Sequence, residues 1–542
     1  MGVLIALWAA LVLPILGALL ALPLRRPRSI LRAGLGVALA SCAVDVYLAV
    51  DAWRAGSVTA AGGWLYLDAL SALHLGLLAL VCGSSSLFAL VYLGDEVRRD
   101  HLSARQARVF ASLWCAALAA MTLLLVSNNL GLMWVGMETT TMATAFLIAI
   151  HVSRESLEAM WKYVLICSVG VGFAFMGTLL VAAAATSSLS PGSSLLWTNL
   201  VASAGLLDPR LMRAAVVFLL VGYGTKAGLA PMHNWLPDAH SQAPAPVSAL
   251  FSGFMLNAAL YCILRVLRIA DAVPLCRGWS QSLLLGFGLL SLVIGAAFVM
   301  FQRDAKRLLA YCSVEHMGLI AIGFGLGGLG TFAALFHSLN HALAKTLAFF
   351  SVGRLGQSCG SHSIADMSGS VRVSPLWAAG LLAGMLALMG AAPSACFISE
   401  LQILQAAFHR ASAVAFVVLL LALAVAFVGM LRHALRLAWG RSARSTEEGE
   451  VPRRPYSSIE RLLVAVPLAL LIGLGLWLPA PLAHLIGAAA NIVDGPRHAS
   501  VVMIEQRDRP ASASAEADPC RADDGPPVLV RGASVAPGEV HP

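Results

Sequence analysis

The sequence predicts an all-α, polytopic membrane protein of about 14 transmembrane helices, with two inverted five-helix repeats and discontinuous helices 7 and 12. Three observations carry that reading. The 542 residues are 59% hydrophobic and only 12% charged. Apolar runs of about 20 residues, enough to cross a bilayer, recur from Val3 to Ala483. Two of those runs are broken by proline beside an ionisable residue, at Lys226–Pro231 and at Pro393–Glu400.

Taken in order, the first run, Val3 to Leu22, has no basic residue before it and Arg25 and Arg26 after it, so it reads as a span rather than a signal peptide. Further spans are expected at about 30–50, 67–93, 108–127, 129–150, 160–185, 212–229, 243–268, 281–301, 307–326, 330–352, 374–409 with a break, 411–438 and 460–483. They group as N-terminal helices (1–107), a first repeat (108–268), a second repeat (281–438), a cytoplasmic loop with the last span (439–483) and a polar tail (484–542). After Pro496 the tail turns to Ser, Ala, Pro, Asp and Arg with no apolar period, a composition expected to be disordered.

A net charge of +8 does not point to nucleic acid, because the basic residues fall in alternate loops instead of on one face. One set carries Arg25, Arg26, Arg28 and Arg32, then Arg98, Arg99, Arg105 and Arg108, Arg154 and Lys162, Arg303, Lys306 and Arg307, and the group from Arg432 to Arg454. The other set carries fewer, chiefly Arg54, Arg210, Arg213, Arg265, Arg268, Arg277 and Arg410. The positive-inside rule then places both termini on the outer, periplasmic side of a bacterial inner membrane. Ten cysteines stand singly, with no CxxC pair and no strand-borne glycine fingerprint. No cofactor, metal or redox centre is expected in this chain.

The polar residues inside the apolar runs are the candidate site. Lys226 sits where a charge costs about 2.5–3.5 kcal/mol, and Gly228 and Pro231 follow at once, so the helix should break beside it and free carbonyls into a protein-lined cavity. The alternative is a lysine snorkelling near a helix end. His233 belongs to the same stretch, which runs from Gly222 to His240. Glu138 lies about nine residues into its span, about 14 Å deep at 1.5 Å per residue, where a carboxylate calls for a nearby cation such as Lys226. Glu158 and Lys162, four apart, suit a surface pair. Asn257 serves either a water chain or helix association. Glu315 and His316 are either the start of a half-channel or interfacial. His337, His341 and Lys345 recur every four residues along one stripe, suited to proton relay. A metal at that stripe finds no third ligand nearby in sequence. The broken twelfth span mirrors the seventh and places Glu400 beyond Pro393.

These residues resemble the antiporter-like membrane subunits shared by respiratory complex I, multisubunit sodium/proton antiporters and group 4 membrane-bound nickel–iron hydrogenases, over roughly residues 60–440. Gly224 to His240 and Ser248 to Arg265 carry most of the likeness. Ala310 to Ile320, Glu158 to Tyr163 and His337 to Lys345 are most similar to the hydrogenase-4 component F branch. The resemblance implies that Glu138 is the fifth-helix glutamate, Lys226 the seventh-helix lysine and Glu400 the twelfth-helix terminal group. Complex I relatives carry an eighth-helix lysine where this chain has Asn257, so any relay is expected to pass through water, Asn257 or the His337–Lys345 stripe. A redox step in a partner would perturb a switchable Glu138–Lys226 pair. The expected partners are other membrane subunits, a soluble redox or hydrogenase module on the cytoplasmic side, and the lipid bilayer. A cation/proton antiporter without a redox partner, and a non-transporting anchor for a soluble enzyme, are the alternatives.

Overall fold

Side-chain caps set the helix starts more sharply than hydropathy does. Asp68, Ser103, Asn129, Ser153, Asp208, Asp304, Ser394 and Ser457 each accept a backbone N–H of the helix they precede, satisfying donors that a membrane-embedded terminus leaves open. The computed structural model describes residues 2–410, 412–441 and 455–495. The expected disordered tail after Pro496 lies outside the described residues.

The chain begins with α1 (Gly2–Leu20) and α2 (Pro27–Ala55), then a short hairpin of β1 (Val58–Ala60) and β2 (Leu65–Leu67), with Val58 opposite Leu67. Next come α3 (Ala69–Arg98), α4 (Ala104–Val126), α5 (Leu130–Ile148), α6 (Arg154–Ala184) and the short α7 (Trp197–Ala202). The seventh expected span is two pieces, α8 (Pro209–Lys226) and α9 (Trp235–Gln242). The eighth is α10 (Ala245–Leu250), a π-helical turn (Phe251–Met255) and α11 (Leu256–Ala272). Then follow α12 (Trp279–Val299), α13 (Ala305–Leu326), α14 (Leu329–Cys359) and the single turn α15 (Ser370–Val373). The twelfth span is again split, into α16 (Pro375–Leu388) and α17 (Ala395–His409). The described chain finishes with α18 (Ala413–Trp439), α19 (Ser458–Leu476) and α20 (Ala480–Asp494).

Ten of these helices are long and apolar enough to cross a membrane, the α10–α11 segment counted as one. The remaining expected spans are α5 and α14, whose polar residues lower their hydropathy, and the pairs α8/α9 and α16/α17, cut short by their breaks. The α10–α11 segment is enclosed on every side and forms the centre of the bundle. Close packing uses missing side chains: a Cβ at Gly170, Gly177 or Gly222 would collide across the α6–α8 seam, and one at Gly288, Gly295 or Gly318 across the α12–α13 seam. Without a hydrophobic drive between helices in lipid, such small-residue contacts hold a bundle together.

Two expectations need correction here. The last span does not run to 483 and the tail does not begin at 484: α19 stops at Leu476, Pro479 and Pro481 restart the chain, and α20 continues to Asp494. Asp494 accepts from the Gly328 N–H and the Thr331 hydroxyl, both at 2.7 Å, which docks α20 at the start of α14. Arg265 is not a loop charge. It is buried within α11, where its guanidinium forks onto both oxygens of Asp68 at 2.6 and 2.8 Å and lies 4.5 Å from the Trp197 ring.

Candidate functional site

Helix α8 ends at Lys226 because Gly228 adopts φ +73° and Pro231 has no amide proton to give. Protein groups satisfy the opened backbone. Trp235 Nε1 donates to the Thr225 carbonyl (2.9 Å), and the Ala230 N–H donates to Ser291 Oγ (2.8 Å). The Lys226 side chain is completely buried. Its amine donates to Thr141 Oγ1 at 3.0 Å and to Tyr163 OH at 2.5 Å.

The tyrosine extends this into a short chain of hydroxyls. Tyr163 OH stands 2.6 Å from Thr144 Oγ1, whose own proton goes to the Thr140 carbonyl, also at 2.6 Å. With that proton committed, the phenol donates to Thr144 and receives from Lys226. Glu138 points elsewhere: its Oε1 accepts from Ser168 Oγ on α6 (3.0 Å), and its Oε2 is buried without a partner. No ion pair within 4.0 Å joins Glu138 to Lys226 among the described residues, so the switchable pair expected of them is not a direct contact in this structure. The reason is helical: Thr141 shares Glu138's face one turn on, and the amine reaches that turn instead.

The centre of the bundle joins this group to the next. Asn257 donates to the Gly253 carbonyl (2.9 Å), leaving its Oδ1 buried and unpaired just past the π-helical turn. Ser252 and Ser313 hydroxyls meet at 2.8 Å, tying the turn to α13. Phe251, in the same turn, stacks 5.8 Å from Tyr163 and presents an edge 5.9 Å from His240. His240 in turn stacks 5.2 Å from Phe349 of α14, and neither of its ring nitrogens has a partner.

The second break mirrors the first. Gly390 adopts φ +67°, three residues before Pro393, as Gly228 stands three before Pro231, and both prolines follow an alanine in cis. Here the Leu388 carbonyl, at the open end of α16, accepts from His316 Nε2 (2.9 Å). A carbonyl only accepts, so His316 keeps its proton on Nε2 and its Nδ1 accepts from His337 Nε2 at 2.8 Å. His337 Nδ1 meets Ser399 Oγ at 2.9 Å, a hydroxyl that also lies 3.0 Å from the Ala395 and Cys396 carbonyls and accepts from Asn340 Nδ2 at 3.2 Å. The result is a hydrogen-bonded chain that links Ser399 through two imidazoles to a backbone carbonyl, directional from His337 to His316 to Leu388.

Around it stand His341, its ring 5.1 Å from His316 and both nitrogens unpaired; Glu315 and Glu400, each with a buried oxygen lacking a partner; and Lys345, which donates to the Leu309 carbonyl at 2.7 Å. A Cβ at Gly390 would fall on the Glu400 carboxylate, so the left-handed glycine is also what makes room for that group. Glu315 and His316 are thus interior, not interfacial.

The fold therefore gathers Glu315, His316, His337, His341, Lys345 and Glu400 at the second break, and places Glu138 and Lys226 on neighbouring helices at the first. His233 stands apart, its ring 6.3 Å from Tyr311. Sequence reasoning missed Tyr163, Ser168, Thr141, Thr144, His240, Asn340 and Ser399. The run of threonines after Glu138, and single polar residues inside apolar helices, were the available signals. At the cytoplasmic mouth expected from charge, Lys162 bridges Glu158 (2.7 Å) and Asp238 (3.0 Å), and Asp238 bridges Arg307 (2.8 Å). The Glu158–Lys162 pair is the surface pair that its spacing implies.

Residues 127–426 match the family model described as NADH:quinone oxidoreductase/Mrp antiporter, TM. The chain is 40% identical over 351 residues to a hydrogenase-4 component F homolog of Methylacidiphilum infernorum, covering 64% of this chain and 74% of that one. It is 32% identical over 467 residues to hydrogenase-4 component B of Escherichia coli, covering 79% of this chain and 65% of that one. Among solved structures, a chain of an archaeal membrane-bound sulfane sulfur reductase superposes with a TM-score of 0.79 at 25% identity, over 90% of this chain and 97% of that one. A polytopic helical chain with two broken spans, each set beside buried ionisable groups, and with more than half its length in the family model, belongs to the NADH:quinone oxidoreductase/Mrp antiporter membrane-subunit family.

Proposed function

We propose that this chain is the proton-translocating membrane subunit of a group 4 hydrogenase, formate-hydrogenlyase-like or complex I-like oxidoreductase complex. The observation that carries the reading is the setting of Lys226: an amine wholly buried at a helix break, held by two hydroxyls and no carboxylate. Such a setting accepts both states of the amine. Protonated, it donates to Tyr163 and Thr141; neutral, its lone pair takes the Tyr163 proton when that hydroxyl rotates away from Thr144. A charge locked into a tight ion pair would resist that exchange.

At the second break, the Ser399–His337–His316 chain does the complementary work. Imidazole gives up one ring proton as it takes another, so a proton taken up at His337 passes to His316. The Leu388 carbonyl cannot receive it, and release requires the His316 ring to turn toward the Glu400 carboxylate, which lies within 4.8 Å. His341, Lys345, Glu315 and Glu400 surround the chain as further stations, and His240 stands between the two groups. The two breaks, with their shared Gly-x-Ala-Pro spacing, support a division into repeats at 108–268 and 281–438. The alternating basic loops support an inner-membrane orientation with both ends outside, and a soluble redox module docked on the cytoplasmic face, where Lys162, Asp238 and Arg307 lie.

The test is proton flux in vesicles reconstituted with the intact complex. Lys226→Ala is expected to abolish flux while leaving assembly unchanged. Undiminished flux, with Lys226 gone, would leave only the membrane-anchor reading. Co-purification separates the two transport readings: a nickel hydrogenase or quinone module supports the present one, and small antiporter subunits alone support an exchanger without a redox partner.

A further inference from the structure

The second polar group has a composition that proton relay alone does not require. One ligand atom each from His316, His337 and Glu400 lie within 4.8 Å of one another, and one each from Cys312, Glu315 and His316 do the same. All of these side chains are buried. They come from three helices, α13, α14 and α17, so the third ligand missing from the local sequence is supplied by the fold. Four groups around the cluster have polar atoms without partners: Glu400 Oε1, Glu315 Oε2, Asn340 Oδ1 and both nitrogens of His341. Unpaired buried acceptors in one place are costly. A cation meets several of them at once.

We infer that the His316-centred cluster is a binding site for a borderline divalent cation, Zn2+ by its donor set, with His316, His337 and Glu400 as ligands and Cys312, Glu315 or His341 able to complete the shell. The donor set is imidazole, carboxylate and thiol, which suits Zn2+ better than the hard cations that prefer all-oxygen shells. Bonds of about 2.0–2.1 Å at tetrahedral angles put ligand atoms about 3.3 Å apart, so the metal-free His316–His337 contact of 2.8 Å must open slightly as the ion replaces the shared proton. Ser399 remains on the far nitrogen of His337, where it fixes the ring that ligates. Ala392 and Pro393, in the break between α16 and α17 that Glu400 follows, are exposed residues. An ion seated in the cluster takes both imidazoles out of the relay, so on the proposed function it is an inhibitor of proton movement.

The experiment titrates the full-length chain in detergent with Co2+ and reads the visible d–d absorption, then displaces Co2+ with Zn2+; binding is thus measured without any transport. The wild type is expected to take up one Co2+ with the intense bands of four-coordination. His316→Gln and Glu400→Gln are each expected to remove that spectrum or weaken binding about tenfold or more, and Ser399→Ala to weaken it by about tenfold. Circular dichroism and elution volume identify variants that remain folded. A wild type with no such spectrum, or with one unchanged in a folded His316→Gln chain, overturns the site. In vesicles, Zn2+ is expected to arrest flux in the wild type. If binding holds and flux is indifferent to Zn2+, the inhibitory role fails while the site stands; if flux is absent in the wild type, it is the transport reading that fails.

Discussion

A buried amine between hydroxyls makes a sharp prediction about one oxygen atom. Tyr163→Phe keeps the ring, its 5.8 Å stack on Phe251 and its 5.1 Å contact with Trp235, and removes the hydroxyl that accepts from Lys226 and meets Thr144. A hydrogen bond to a charged group is worth about 1.5–3 kcal/mol, so proton flux is expected to fall about tenfold or more while the protein still inserts and purifies. A quite different histidine sets an acid limit. His362, in the loop after α14, packs against Gly356 with its Nε2 buried and unpaired. Burial, with Lys306 adding to it, holds this imidazole down at about 3. An unfolded chain takes up that proton near pH 6.5, whereas the folded chain refuses it. Stability is therefore complete above about pH 6.5 and falls as the pH drops toward 3, by at most about 1.4 kcal/mol per pH unit. Thermal melts in detergent across that range should show a shallower acid decline for His362→Gln than for the wild type.

Among the elements, the π-helical turn Phe251–Met255 does what a straight α-helix could not. A wider turn shifts the helical register, a device common at functional positions, and here it sets Phe251 between Tyr163 on one side and His240 on the other. On the proposed function, this apolar ring between two polar groups is a barrier to water joining them. Phe251→Ala is expected to raise passive proton leak in vesicles, measured without any redox substrate, while Lys226→Ala does not; equal leak in wild type and Phe251→Ala would remove the ring from that role. The breaks in the two split spans were legible because a Gly-x-Ala-Pro run beside an ionisable residue disfavours helix continuation, whereas lone prolines such as Pro14 in α1 and Pro467 in α19 stand inside unbroken helices. The π-helical turn was not, since Phe-Ser-Gly-Phe-Met carries no residue that demands it.

The whole molecule makes its prediction through charge. The orientation proposed from the alternate basic loops has both ends outside, so an epitope tag on the N-terminus is expected to be reached by an impermeant reagent in intact spheroplasts without permeabilisation. Labelling only after lysis would reverse the orientation and put the Lys162–Asp238–Arg307 network on the outer face. That network links α6, α9 and α13 by ion pairs at 2.7–3.0 Å, and each is partly open to solvent, so its contribution to stability is small. The stronger tie is the buried pair of Arg265 and Asp68, which fastens the enclosed α11 to the start of α3.

Sequence by itself determined the spans, their breaks and the identity of the buried ions, because hydropathy, proline and the cost of charge in hydrocarbon are properties of residues read one at a time. Helix starts came within seven residues of their caps, the widest gap being the sixth span, expected at 160 and capped by Ser153, and the family followed from a few motifs. Only the tertiary structure decided which groups meet. It gave Lys226 to Tyr163 and Thr141 instead of Glu138, lifted Arg265 out of its loop, folded 484–494 onto α14, and closed His316, His337 and Glu400 around one point. Those outcomes depend on helix rotation and on contacts between residues up to 197 positions apart, and neither quantity is encoded in any local stretch of the chain.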